Sequence, residues 1–393
     1  VKKQGGNIMF PKVSDDYLAW LEKKGSGNPP QQGCIPNRFK CEVPNTFDPK
    51  LVEKSLQDAW QALADKVWEQ DLSHLKDSKT REIWDRQVRH FWEISWALTD
   101  DIEQSKIMDQ RKNWRNHLPR EEAGVKCMML DGLQELSGIE TPNAKDLGVF
   151  WEKLRKQSNT LESDLREHEY LCAIAFIKRR FVHCFEDLKA EMPGGWNLQG
   201  WDVNSSVPSV TYMAAAPWLA QVLEHAPEQQ LQEFHKKARK LTGSYPEYHT
   251  HLSCFENIQK TQSQRDIQNL DGSVFFDTAL ENKNIFPNQE LAKEVKKVLK
   301  ALRDSVTALK ITPVSPFYAV LMMDGDSLGV QMNVFTKQEL ITDSLNCFTQ
   351  GVAKVVKNHS GFLIYAGGDD VLALLPLEYA LSCAYDLRQS YET

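Results

Sequence analysis

Two stretches decide the fold: Phe317-Tyr-Ala-Val-Leu-Met-Met-Asp-Gly-Asp-Ser-Leu-Gly329 and Phe362-Leu-Ile-Tyr-Ala-Gly-Gly-Asp-Asp-Val-Leu-Ala-Leu-Leu-Pro376. The first opens on an apolar run of strand length, Phe317–Met323, that stops at Asp324-Gly325-Asp326. In the second, the runs Phe362–Ala366 and Val371–Leu375 flank Gly367-Gly368-Asp369-Asp370. Glycine there suits a tight hairpin, because it takes positive φ at no steric cost. Lys337–Val356 reads as a helix between the two stretches, and Glu378–Tyr391 as a helix after them. The order β-α-β-β-α predicts a split βαβ unit of the ferredoxin-like kind, with a fourth strand expected beyond the last residue. The three runs hardly alternate, which predicts strands buried on both faces.

In such a unit the second strand of the hairpin lies beside the first strand. Asp324 would then meet Asp369 and Asp370 at one edge of the sheet, with Asp326 a further candidate ligand. Hard carboxylate oxygens on neighbouring strand ends suit Mg²⁺ or Mn²⁺ and leave positions for phosphate oxygens. Two such ions activate an attacking hydroxyl and stabilise departing pyrophosphate, so the pattern points to phosphoryl transfer. Gly367 and Gly368 let a nucleotide approach the backbone. Taken singly, each motif is also an ordinary turn; their coincidence at two strand ends is what points to a metal.

Outward from this C-terminal region the pattern changes. From Asp48 to about Arg303, apolar residues recur at helical spacing, as in Trp60, Leu63, Val67 and Trp68, or Trp84, Val88, Phe91, Trp92 and Ile94. Ser158–Phe185 and Pro227–Thr242 continue it, and such aromatic spacing is that of a core. Pro193-Gly194-Gly195 and Asn197–Val207 read as loops. The first residues read as the tail of an α/β unit: a strand at Asn7–Phe10, a helix near Asp15–Lys24, a loop over Gly25–Gly33, then extended Arg38–Val43. The expected division is 1–45, the end of a first palm-like domain; 46–310, a mainly helical middle; and 311–393, the acidic palm. The fold class is α+β, with ferredoxin-like palm domains separated by a large helical domain.

The 393 residues are 41% hydrophobic and 26% charged, the mix of a globular chain with room for two or three domains. No apolar run approaches a membrane span, so no membrane partner is expected. The opening Val1-Lys-Lys-Gln-Gly has no initiator Met or signal-peptide core, and both termini are expected to be cut from a longer protein. Eight cysteines without a Cys-x-x-Cys pair argue against a disulfide framework and for a reduced, cytoplasmic protein. A net charge of −7 gives no general attraction for phosphate, which leaves local patches such as Lys178-Arg179-Arg180 and Lys236-Lys237-Ala238-Arg239-Lys240.

Phe317–Gly329 and Tyr365–Pro376 resemble the palm motifs of the type III CRISPR large subunit, in its III-B (Cmr) form. Ile35-Pro-Asn-Arg-Phe39, Leu171-Cys-Ala-Ile-Ala-Phe-Ile-Lys-Arg-Arg180 and Val207-Pro-Ser209 are similar to shorter segments of that family, in the same order. The resemblance implies two palm-like domains separated by helices, and conversion of ATP to cyclic oligoadenylate when target RNA pairs with the guide. It implies that Asp324, Asp369 and Asp370 hold the metals and act in catalysis, with Gly325, Asp326, Ser327, Gly367 and Gly368 beside the nucleotide. The implied partners are guide (crRNA) and target RNA and the other Cas subunits of the complex. Arg38, Lys178, Arg179 and Arg180 are the candidate RNA contacts.

Departures from the family pattern matter too. Its zinc site uses Cys-x-x-Cys pairs, but here Leu130 and Ala175 stand where partners of Cys127 and Cys172 would be, so zinc is not expected; His183 and Cys184 are the remaining candidates. No His-Asp dipeptide occurs, so nuclease activity is absent or lies upstream. Two other readings compete: a catalytically silent scaffold that grips the guide RNA's 5′ end, and a diguanylate-cyclase-like enzyme, which the long helical insert does not fit.

Overall fold

A computed structural model describes residues 1–12, 15–21, 29–30, 37–75, 78–101, 107, 121–204, 207–242, 252–258, 261–326, 328–332 and 334–392. Ser327, most of the Gly25–Gly33 loop, and Ile35 and Pro36 of the Ile35–Phe39 segment lie outside these. Contacts divide the chain into two compact units. One takes in Val1–Gln31, Arg38–Asn204 and Met332–Gln338, the other Gln32–Asn37, Ser205–Gln331 and Glu339–Thr393. The residues expected to form a helical middle are thus shared between the units.

The first unit begins with β1 (Asn7–Phe10), α1 (Asp15–Leu21) and β2 (Lys40–Glu42), β1 and β2 pairing antiparallel. Its core is helical: α2 (Pro49–Val67), α3 (Ser78–Arg89), α4 (Ala144–Arg155), α5 (Asn159–Asp164) and α6 (Ala173–Arg180). Asp48 starts α2 by accepting the Lys50 N–H, which satisfies a helix-end donor. Trp84 is fully buried, with Trp68 at 5.3 Å and Phe176 at 6.3 Å, both edge-on. Arg180 ends α6 inside this core, where its guanidinium takes Asp71 with two nitrogens at 2.7 and 3.2 Å and Asp164 at 2.6 Å.

Local readings of this unit change in three places. α3 ends at Arg89, so Phe91, Trp92 and Ile94 do not continue it; Phe91 and Trp92 instead stack beside Trp60. Ser158–Phe185 is not one helix, because Tyr170 and Leu171 are drawn out to accept the Met128 and Leu136 N–H groups at 2.9 and 3.0 Å. Lys189–Met192 (β3) and Trp196–Gln199 (β4) form an antiparallel hairpin, and Gly194 and Gly195 take the positive φ its turn requires.

The second unit contains α7 (Val210–His225), α8 (Glu228–Thr242), α9 (Gln262–Gln268), α10 (Asp277–Leu280) and α11 (Gln289–Ser305). They lead to β5 (Tyr318–Met323), α12 (Leu328–Gln331), α13 (Phe335–Asn358), β6 (Phe362–Gly367), β7 (Asp370–Pro376) and α14 (Ala380–Glu392). The sheet order is β5-β7-β6, antiparallel throughout, as the split βαβ layout requires. Phe348, Val352 and Val356 of α13 and Cys383 and Leu387 of α14 close one face over Val371, Ala373 and Leu375. On the other face, Phe362 and Leu374 pack against the α7–α11 core.

One face of β5 stays open: the strand alternates exposed and half-buried residues, and Met322 is 80% exposed. Burial on both faces therefore holds for part of β7 and not for β5. An edge strand can carry an unbroken apolar run while only one of its faces meets a core.

Candidate metal and nucleotide centre

Strand register builds the site. Met323 pairs with Val371 at the end of the β5–β7 ladder, so the next residues, Asp324 and Asp370, face each other where pairing stops. Gly367 pairs with Asp370, leaving Gly368 and Asp369 as a two-residue turn. Gly368 has φ +67° and Asp369 does not share the positive sign, the II′ pattern with glycine at the first central position. The Thr349 hydroxyl of α13 lies 3.2 Å from the Gly368 carbonyl and braces the turn from behind.

Carboxylate oxygens of Asp324, Asp369 and Asp370 come within 4.8 Å of one another. No lysine, arginine or histidine among the described residues pairs with any of the three. Partial burial, then the charges of Asp369 and Asp324 and a hydrogen bond with Asp324, push the Asp370 carboxyl above its ordinary range. The centre is thus a concentration of negative charge in which the protonated form of Asp370 is favoured. Hard oxygens at this spacing fit Mg²⁺ or Mn²⁺, bound through a few carboxylates with positions left for phosphate.

Gly325 is buried between the two acidic stretches. A methyl group there would meet the Tyr391 hydroxyl at 2.3 Å and Asp369 Cβ at 2.8 Å, so the loop closes only around glycine. Burial, followed by the charges of Asp369, Asp324 and Asp326, pushes the Tyr391 phenol upward.

The family model of the Cas10/Cmr2 second palm domain matches residues 317–393, from the residue before β5 through α14. Residues 317–393 thus match a Cas10/Cmr2 second palm domain. The "CRISPR system Cmr subunit Cmr2" of Pyrococcus furiosus is 28% identical over 159 residues, covering 32% of this chain and 18% of that protein. A solved structure, the type III-B Cmr-beta apo state, superposes with a TM-score of 0.50 at 13% identity. It covers 92% of this chain, and the chain spans 50% of that one. At that identity the likeness is one of fold.

Within this Cas10/Cmr2 palm the structure brings Asp324, Asp369 and Asp370 together and sets Gly325, Gly367 and Gly368 around them. Asp326 is exposed and outside the cluster. The basic candidates lie in the first unit. Arg38 is exposed, just before β2, and Lys178 is exposed with its ammonium 5.3 Å over the Phe91 ring. Arg179 pairs with Glu169 and with the Asp164 carbonyl, and Arg180 is 1% exposed. Of that cluster, Lys178 is the residue with its charge presented to solvent.

Cys127 and Cys172 meet, a hydrogen bond from the Cys172 thiol drawing the Cys127 pKa down, while His183 is 2.8 Å from Asp164. Tyr391 and Thr349 were missed in the sequence. Neither carries a motif, and both reach the centre through helix packing that no local pattern announces.

Proposed function

We propose that this chain carries the nucleotidyl-transfer centre of a type III-B large subunit, joining ATP units into cyclic oligoadenylate or a related adenylate when target RNA pairs with the guide. The observation that carries the reading is the cluster of three carboxylates at two adjoining strand ends, which no lysine, arginine or histidine among the described residues pairs with. Asp324, Asp369 and Asp370 would hold two divalent ions. Those ions supply Lewis acidity for the attacking hydroxyl and charge neutralisation for the leaving pyrophosphate.

The remaining work is positional. The β5–β7 register keeps Asp324 opposite Asp370, and the II′ turn presents Asp369 beside them. Gly367 and Gly368 leave backbone open to the nucleotide; a Cβ on Gly368 would meet nothing within 4 Å, so the surface above that turn is free.

The solved structure of like fold is a type III-B Cmr-beta apo state, which supports other Cas subunits as partners; guide and target RNA as the trigger are part of the proposal. In the first unit, Arg38 and Lys178 are the proposed RNA contacts, since Arg180 is committed to Asp71 and Asp164.

The test is mass spectrometry of the products made from ATP by the intact complex with matching target RNA. Asp369→Ala combined with Asp370→Ala is expected to abolish product and leave assembly unchanged, because these carboxylates are not part of a core. Unchanged product from the double variant refutes the metal-site assignment. Absence of product from the unaltered complex supports the silent-scaffold reading instead.

A further inference from the structure

Tyr391 stands in the last turn of α14, yet its hydroxyl reaches the acidic motifs. Its ring packs edge-on against Phe348 of α13, centroids 5.1 Å apart at 82°, so the side chain is fixed from behind. A Cβ placed on Gly325 would lie 2.3 Å from Tyr391 Oη and 3.0 Å from Asp369 Oδ2. Both oxygens therefore border the same wedge of space, within two hydrogen-bond lengths of each other. The hydroxyl donates to no described protein group. A phenol O–H that donates to no described group thus lies close beside a carboxylate oxygen.

We propose that Tyr391 is a positioning residue of the acidic centre: its O–H donates to the Asp369 carboxylate, directly or through one water, and holds it turned toward Asp324 and Asp370 for the divalent ion. This rests on the metal-centre reading above. A donor on the outer oxygen of a ligating carboxylate restricts its rotation, and loss of such a partner commonly weakens metal binding tenfold or more. Gly325 is the structural condition for the arrangement, since any side chain there would occupy the place of the hydroxyl. It follows that α14, which carries no acidic ligand, sets the geometry of the centre through its final turn.

The experiment is Mn²⁺ titration of the intact chain, followed by electron paramagnetic resonance, with thermal melting alongside. Tyr391→Phe keeps the ring against Phe348, so its melting temperature is expected to stay that of the parent while Mn²⁺ affinity falls roughly tenfold. Gly325→Ala is expected to weaken Mn²⁺ binding as well, and by less in the Tyr391→Phe background, where the clash with the hydroxyl is gone. A purely structural tyrosine would show the opposite, a lower melting temperature with unchanged affinity. Affinity within about twofold of the parent for Tyr391→Phe overturns the inference and leaves the metal centre standing. If the parent binds Mn²⁺ no better than the Asp369→Ala/Asp370→Ala variant, the metal-centre reading itself falls, and this inference with it.

Discussion

Replacing Arg180 tests whether its cluster serves RNA or the fold. Arg180→Met removes a guanidinium that is 1% exposed and leaves a side chain of comparable length in the same core. Asp71, 4% exposed, then loses both of its charge-assisted hydrogen bonds, at 2.7 and 3.2 Å, and Asp164 loses one at 2.6 Å. Breaking a buried pair by removing one partner costs about 3–5 kcal/mol, because the other charge stays out of water. For a unit of this size, about 2–4 °C per kcal/mol, the melting of the first unit should fall by roughly 6–20 °C. Differential scanning calorimetry of the intact chain measures this. Asp71→Asn added to Arg180→Met should recover much of the loss, since the stranded charge is gone. A loss below about 1 kcal/mol, or a double variant worse than the single one, would refute the argument. Lys178→Glu is the contrast: exposed and held only over the Phe91 ring, it should cost at most about 1 kcal/mol while weakening guide-RNA retention.

Three further outcomes are expected. Mn²⁺ should bind weakly to the free chain and much more tightly with ATP, whose phosphates complete the ligand set; equal affinities in calorimetry would contradict a shared site. Acid and base should act oppositely on two carboxyls. Burial raises Asp164, but hydrogen bonds from His183 and Arg180 outweigh it and leave the pKa below the ordinary value. Its stabilisation is therefore present above the unfolded carboxylate range and lost as pH falls through the depressed value. Asp370, raised by burial and by Asp369 and Asp324, stabilises the metal-free fold at low pH and ceases to as pH rises through its folded value, a trend that bound Mg²⁺ should abolish. Denaturation at several pH values, with and without Mg²⁺, reads both. Gly272→Ala should destabilise the second unit severely, since its Cβ would come 2.2 Å from the Tyr212 backbone nitrogen; a melting temperature within a few degrees of the parent would rule out that close approach.

The palm was legible because its signals are local. Apolar runs of strand length, a Gly-Gly turn and two amphipathic helices specify β5 to α14 in order, and the layout places the hairpin's second strand beside β5, where 323 is found opposite 371. Elsewhere tertiary contacts overrode local spacing. Tyr170 and Leu171 read as helical, but their carbonyls are taken by Met128 and Leu136 from a distant loop. Arg180 reads as surface charge, and only the fold shows Asp71 waiting for it inside the core. The exposed face of β5 was hidden for a different reason: an apolar run records that a strand can be buried, not how many neighbours are present to bury it.

The ladder between β5 and β7 has one more consequence. Side chains alternate along a strand with a period of two, so sliding β5 by one residue would turn Asp324 away from Asp370 and present a different set of side chains to α13 and α14. The acidic cluster and the apolar layer are therefore indexed by the same alignment. A slip cannot disable one and spare the other, so in the proposed metal centre ion capture would report correct strand pairing: a chain able to bind Mn²⁺ at this edge would have threaded its sheet in the native frame.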